Sequence, residues 1–225
     1  VTAVTGALGS GKTELAVSLA SAMAKKGEKV VLADMDIINP YFCLRALVGE
    51  VEQENLSVLA PPGNIRWGDM SYINPLIRTK IHDDSGRLII DVGGDSQGAL
   101  ALKQFEPEII KAGYELIFVI NPYRTHTKNF SEIEKMRSRL EDTCGLKVSS
   151  IAANAHLMDK TSPQDCAEGT LKVREFSERM GIPMLFGMAE SSVSEEVKKL
   201  IPGYLDIWIL EREILLPWER CSVRI

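Results

Sequence analysis

The chain lacks the cysteine pairs that would point to a bound metal. Its four cysteines, Cys43, Cys144, Cys166 and Cys221, are scattered, and no Cys-x-x-Cys occurs. A zinc ribbon or an iron–sulfur cluster therefore finds no support, and buried reduced thiols in a cytoplasmic protein are the expectation. No apolar run approaches the roughly 18 residues needed to cross a bilayer, and no leader reads ahead of the first strand. The chain opens in that strand without a methionine, so a residue or two is expected to precede it. An excess of positive charge is missing as well. The 26 Lys and Arg against 31 Asp and Glu leave a net charge of −5, which gives no general nucleic-acid footprint. Repeats, low-complexity tracts and linkers are absent, so residues 1–225 are expected to form one domain, with 203–225 as a C-terminal extension.

What is present suits a globular α/β protein. Apolar residues make up 45% of the 225 and charged residues 25%, enough for a core that needs no staples. Apolar β-rich runs alternate with helical patterns, which predicts a mostly parallel sheet with helices on both faces. Strands are expected at Val1–Thr5, Lys29–Asp34, Leu56–Ala60, Arg87–Asp91, Tyr114–Asn121, Val148–Asn154 and Pro183–Leu185. Helices are expected at Lys12–Lys25, Tyr41–Val48, Ser71–Ile81, Gln97–Ala112, Lys128–Glu141, Pro163–Met180 and Ser192–Leu200. The strands read as continuous apolar runs, as they should when both faces are buried. In the tail, Tyr204, Leu205, Ile207, Trp208, Ile209 and Leu210 are too apolar to stay in water and are expected to pack on the core as a helix or strand. Glu211, Arg212 and Glu213 do not make the cationic face that membrane binding favours.

Gly6-Ala7-Leu8-Gly9-Ser10-Gly11-Lys12-Thr13 matches G-x-x-x-x-G-K-[ST] at every fixed position. A chance match in a chain of this length has odds of about one in a hundred. A strand leads in and an amphipathic helix leads out, the context a phosphate cradle requires. Gly6, Gly9 and Gly11 let backbone N–H groups of the loop, including Ser10, close around phosphates, and the helix N-terminus adds its partial positive charge. Lys12 would bring a point charge to the β- and γ-phosphates, and the Thr13 hydroxyl would bind Mg²⁺.

Carboxylates follow at two strand ends. Leu88-Ile89-Ile90-Asp91 delivers an acid to the edge where ligands sit in open α/β sheets, so Asp91 is expected to hold Mg²⁺ directly or through water. Val92-Gly93-Gly94-Asp95 comes next, and its glycines allow a loop that moves near a γ-phosphate. Asp34-Met35-Asp36 ends the second strand. Acids two residues apart point the same way in an extended chain, so one suits support of the metal and the other orientation of an attacking water.

Together these motifs resemble the MinD/ParA-type P-loop ATPases, a superfamily that also contains the nitrogenase iron protein, the CO-dehydrogenase nickel-insertion ATPases and the cobyrinic-acid amidase-type nucleotide-binding domains. The resemblance implies a three-layer P-loop NTPase fold. It assigns the water to Asp36, metal support to Asp34, the second switch to Asp91 and Asp95, the first switch to Asn39–Arg45, and the nucleotide base to Asn154. One departure is plain. Dimerising members carry a second lysine just after the first cradle glycine, and here that residue is Ala7. A homodimer bridged by that lysine, and fast hydrolysis, are therefore not expected.

The late-strand loop Asn154-Ala155-His156-Leu157-Met158-Asp159 lacks the lysine of the guanine-reading N-K-x-D pattern, and its acid stands too far on. ATP is thus expected ahead of GTP. Arg124, after another strand, is read either as a phosphate or substrate contact or as a surface ion pair. His82, His126 and His156 are read as structural or solvated. Three functions stay open: an ATPase switch acting on an unidentified protein partner, an ATP-dependent small-molecule ligase or kinase, and a scaffold that does not hydrolyse. The loops Pro61–Met70, with Arg66, Trp67 and Asp69, and Pro122–Thr127 are the candidate substrate or partner surfaces.

Overall fold

The computed structural model describes residues 1–36, 44–62, 72–158 and 160–211. Among the described residues, eight parallel strands form one sheet: β1 (Thr2–Gly6), β2 (Val30–Met35), β3 (Leu56–Leu59), β4 (Arg87–Val92), β5 (Glu115–Ile120), β6 (Ser150–Ala153), β7 (Met184–Glu190) and β8 (Ile207–Leu210). Their order across the sheet is β3-β2-β4-β1-β5-β6-β7-β8. The helices are α1 (Lys12–Lys25), α2 (Val48–Val51), α3 (Leu76–Ile81), α4 (Ser96–Lys103), α5 (Glu106–Ala112), α6 (Phe130–Cys144), α7 (Pro163–Met180) and α8 (Ser191–Leu200).

The central strands bury both faces, and successive residues go to different cores. On β1, Ala3 joins one cluster and Val4 the other; on β5, Leu116, Phe118 and Ile120 face one side while Ile117 and Val119 face the opposite one. Residues of α3 to α7 cover the first face, and α1 with Leu47 and Val51 covers the second. This period of two on a doubly covered sheet explains the unbroken apolar runs. All strand C-termini lie along one edge, the edge where such sheets bind ligands.

Most expected elements appear within a residue or two, and the departures have local causes. The run Gln97–Ala112 is two helices, because Pro107 cannot donate the hydrogen bond a continuous helix needs and instead opens α5. The helix expected at Ser71–Ile81 starts only at Leu76, after Pro75, with Asn74 Oδ1 accepting from the Leu76 N–H at 3.1 Å. Tyr41–Val48 yields a 3-10 turn at Leu44–Ala46 followed by the short α2; residues 41–43 lie outside the described residues. α7 begins and ends as expected, since Ser162 and Asp165 form a capping box, Pro163 fills the first turn and Gly181 closes the helix in the left-handed region. The apolar tail supplies β8, which pairs with β7 and anchors itself through Trp208 Nε1 on Ser18 Oγ at 2.8 Å. Cys144 and Cys166 are buried free thiols. Among the described residues, no helix is long and apolar enough to cross a membrane.

Candidate functional site

The Gly6–Thr13 loop joins β1, in the middle of the sheet, to α1. Gly11 sits at φ +89° at the start of α1, a conformation that favours glycine, and a side chain there would also collide with the Asn154 amide. Two side chains from other strands grip the loop. Asn154, at the end of β6, donates from Nδ2 to the Ser10 carbonyl at 2.8 Å, and Arg124, after β5, donates from Nε to the Gly9 carbonyl at 3.0 Å. Arg124 is therefore tied to the cradle itself, and it makes no ion pair among the described residues. Asn121, buried at the end of β5, donates to the His156 carbonyl at 2.9 Å and so joins the β5 and β6 loops.

The carboxylates of β2 and β4 sit beside the start of α1. Lys12 Nζ lies 3.1 Å from Asp36 Oδ2, with both side chains buried. Burial disfavours the Lys12 ammonium, but Asp91 and Asp36 outweigh it and hold its pKa above the usual lysine value. Asp34, expected beside the metal, has another partner. Arg45 Nε donates to its Oδ2 at 2.9 Å and Nη2 to its Oδ1 at 3.3 Å, the Arg45 backbone N–H adds a bond at 3.1 Å, and Nη2 also donates to the Asp36 carbonyl. Burial raises the Asp34 pKa while Arg45 works against the rise. Arg45, expected at the end of the first switch, is thus the clasp of the Asp34–Asp36 turn. Asn39 and the rest of the first-switch segment before Leu44 fall outside the described residues, as do Arg66, Trp67, Asp69 and Asp159.

Asp91 is fully buried, and neither of its oxygens has a hydrogen-bond partner of normal geometry among the described residues. Desolvation drives its pKa up to about 7; Lys12 and the Thr13 hydroxyl pull it down, and Asp36 and Asp34 push it further up. An orphaned buried carboxylate is costly unless a ligand or ion satisfies it. A hard cation that takes oxygen ligands fits here, with the Thr13 hydroxyl as a second ligand. Among the described residues no group of three His, Cys, Asp or Glu converges on a metal.

The Asp91 shift predicts a pH dependence. Between about 4 and about 7 the folded chain keeps a proton that the unfolded chain, at the ordinary aspartate value of 3.8, has released. Stability must then fall as pH rises through that window. Thermal melts of the nucleotide-free protein should show this slope, and Asp91→Asn should flatten it; equal slopes in the two proteins would refute the shift.

Asp95, expected in the second switch, has a structural role in the fold as well. It caps α4, its Oδ1 accepting from the N–H groups of Gln97 and Gly98, both at 2.9 Å. Between it and Asp91, Gly94 packs so closely on the Gly6 carbonyl that any side chain would collide. The loop after β4 is thereby in direct contact with the base of the cradle. A cavity of about 430 Å³ opens behind this contact, between α4 and α6, with Gly6, Gly94, Asp95, His126, Lys135 and Arg139 in its lining.

Sequence reasoning missed one acid. Glu190, at the end of β7, accepts from His156 Nε2 at 2.9 Å beside Asn154. The N-K-x-D pattern covers only the loop after β6, whereas the parallel pairing of β6 with β7 brings the end of the next strand alongside.

A family model described as the CobQ/CobB/MinD/ParA nucleotide binding domain matches residues 1–162. No curated protein sequence matches the chain. Among solved structures, the cell division protein FtsY of Thermotoga maritima superposes with a TM-score of 0.58 at 16% identity, over 89% of this chain and 68% of that one. The signal recognition particle receptor FtsY of Elizabethkingia anophelis, in complex with GDP, gives 0.53 at 17% identity, over 83% of this chain and 55% of that one. A nucleotide-binding protein of Archaeoglobus fulgidus in complex with ADP gives 0.51 at 18%, over 89% and 88%. At these identities the likeness is one of fold.

Proposed function

We propose a function that starts from one premise: the chain belongs to the CobQ/CobB/MinD/ParA nucleotide-binding domain family. It is a P-loop nucleotide-binding protein, and we read it as a single-domain, cytoplasmic, Mg²⁺-dependent ATP-binding protein that hydrolyses slowly and acts as a nucleotide-dependent switch on a partner protein. The observation that carries this reading is the orphaned, fully buried Asp91 beside Lys12 and Thr13 at the mouth of the cradle. Backbone N–H groups of the loop would hold the phosphates, Lys12 would neutralise them, and Thr13 with Asp91 would hold Mg²⁺, which screens the charge that develops on the transferring phosphoryl group. Asp36 would orient the attacking water. The neighbouring structures contain ADP in one case and GDP in another, so the fold leaves the base open; the missing N-K-x-D loop favours ATP.

Switching follows from the Gly93–Gly94 loop. Because Gly94 rests on the Gly6 carbonyl, any shift of the cradle on phosphate binding must displace this loop and, through the Asp95 cap, α4. Slow turnover follows from Ala7, which is buried and uncharged, and from Arg45, which is spent on Asp34. Ala7 also leaves no lysine at that position to bridge two copies around ATP.

A second reading, an ATP-dependent ligase or kinase of a small molecule, is favoured by the cavity between α4 and α6. Its roughly 430 Å³ lies in the range of small-ligand pockets, and it abuts Gly6 and Gly94. Phosphate release that a metabolite accelerates and no protein accelerates would decide for it.

Lys12→Ala should weaken Mg-ATP binding by about 1.5–3 kcal/mol, the worth of a charge-assisted contact. Calorimetric titration measures it directly. An unchanged affinity would remove the cradle from the argument.

A further inference from the structure

We propose that Glu190, held in place by His156, is the side chain that reads the nucleotide base, and that it selects for the exocyclic 6-amino group of adenine. The inference rests on the nucleotide-binding reading above and adds the element that chooses adenine.

Asn154 belongs to two structures at once. Its amide holds the Ser10 carbonyl of the cradle, and the same residue lines a cavity of about 120 Å³ next to it. That volume is well below the 300–1,000 Å³ of whole-ligand pockets, so it takes one flat fragment of a molecule whose remainder lies outside. Cys166, Met188, Ala189 and Leu210 give it apolar walls. The Cys166 thiol is already bonded to the Met188 carbonyl at 3.4 Å. Its ionisable lining residues are His156 and Glu190, with Asn154, Thr161 and Ser192 the other polar ones.

The hydrogen bonds fix the rim's chemistry. His156 Nδ1 accepts from the Met158 N–H at 3.2 Å, so the ring proton is on Nε2, which donates to Glu190 Oε1 at 2.9 Å. Glu190 stands at the N-cap of α8 yet makes no side-chain cap, and its Oε2 has no partner among the described residues. The turn that places His156 is strained. Met158, at φ +59°, is the one non-glycine residue in the left-handed region among those described, a conformation kept where the surroundings demand it.

The free carboxylate oxygen is an acceptor aimed at an N–H. The adenine 6-amino group offers one there, and the first N–H groups of α8, whose Ser192 and Val193 line the same cavity, are donors for ring nitrogens. Guanine presents two N–H groups side by side, which a carboxylate meets best with its two oxygens in parallel, and the His156 bond competes for one of them. Discrimination thus resides in the pair and not in the acid alone.

Competition against a fluorescent ATP analogue, using the intact chain with Mg²⁺, tests this with ATP, GTP, purine-riboside triphosphate (which lacks the 6-amino group) and tripolyphosphate (which lacks a base). The wild type should prefer ATP over purine-riboside triphosphate by about ten- to a hundredfold, the worth of a hydrogen bond to a charged group. Glu190→Ala should bring the two within about threefold while tripolyphosphate binds as before. His156→Ala, which frees both oxygens, should raise GTP affinity about tenfold relative to ATP. A wild-type chain that binds neither ATP nor tripolyphosphate sinks the cradle reading and this inference with it. A chain that binds tripolyphosphate, yet keeps its ATP preference after Glu190→Ala or shows no GTP gain after His156→Ala, sinks this inference alone.

Discussion

Replacing Arg45 by alanine is expected to destabilise the protein by about 3–5 kcal/mol, the cost of removing one partner of a buried ion pair. Arg45 is only 7% exposed and Asp34 2%. Two guanidinium nitrogens bond the two Asp34 oxygens, and the same guanidinium holds the Asp36 carbonyl. Without it, Asp34 keeps only the backbone N–H groups of Asp36 and residue 45, at 3.0 and 3.1 Å. Burial already raises the Asp34 pKa and Arg45 counteracts that rise, so the variant's carboxyl should move further up. A folded pKa raised above the unfolded value gives stability that is present at low pH and lost as pH rises through the folded pKa. The deficit of Arg45→Ala should therefore be smaller at pH 5 than at pH 8. Urea unfolding at the two pH values measures both size and slope. Arg45→Met combined with Asp34→Leu should recover most of the loss, because apolar replacement of a whole buried pair is often neutral. A loss below about 1 kcal/mol at pH 8 would show that the clasp is dispensable.

That clasp was not legible in the sequence, and the reason is instructive. The cradle, Asp91 and the Asp34–Asp36 pair could be read because spacing along a strand or loop fixes which way neighbouring side chains point. Arg45 reaches Asp34 across 11 residues through a turn that no short pattern encodes. Glu190 was hidden for a related reason, since its place beside Asn154 depends on β7 lying next to β6, a fact of topology. Asn154 itself was placed correctly at a strand end, but its grip on Ser10 belongs to the folded loop. Helices were most readable where caps were explicit, as with Ser162-Pro163 and Gly181 around α7, and least where Pro107 interrupted an otherwise helical run. Asp95 carried two signals at once. Its place after two glycines suggests a moving switch, while its place just before Ser96-Gln97-Gly98 is that of a helix cap, and the structure shows the cap.

Asp36→Ala is expected to lower ATP turnover about 10²–10⁴-fold, the range for losing a group that positions or deprotonates the nucleophile. Nucleotide affinity should move in the other direction. Asp36 Oδ2 lies 3.1 Å from Lys12 Nζ, with both groups sealed from solvent. Phosphate must draw Lys12 away from this carboxylate before the lysine can serve the nucleotide. Removing Asp36 removes that competitor, so Mg-ATP should bind the variant as tightly as the wild type or more tightly. The opposed signs separate catalysis from binding, because Lys12→Ala should reduce both. Asp36→Asn refines the test, since it keeps the side chain's size while losing the negative charge that attracts both Lys12 and a water proton. It should share the tighter binding and the slow turnover of the alanine variant. Single-turnover phosphate release, alongside calorimetric titration with a non-hydrolysable analogue, supplies the two numbers. If Asp36→Ala turns over normally while binding more tightly, Asp36 is the counter-ion of Lys12 and another group orients the water; if binding and turnover collapse together, its role is to hold the lysine in place.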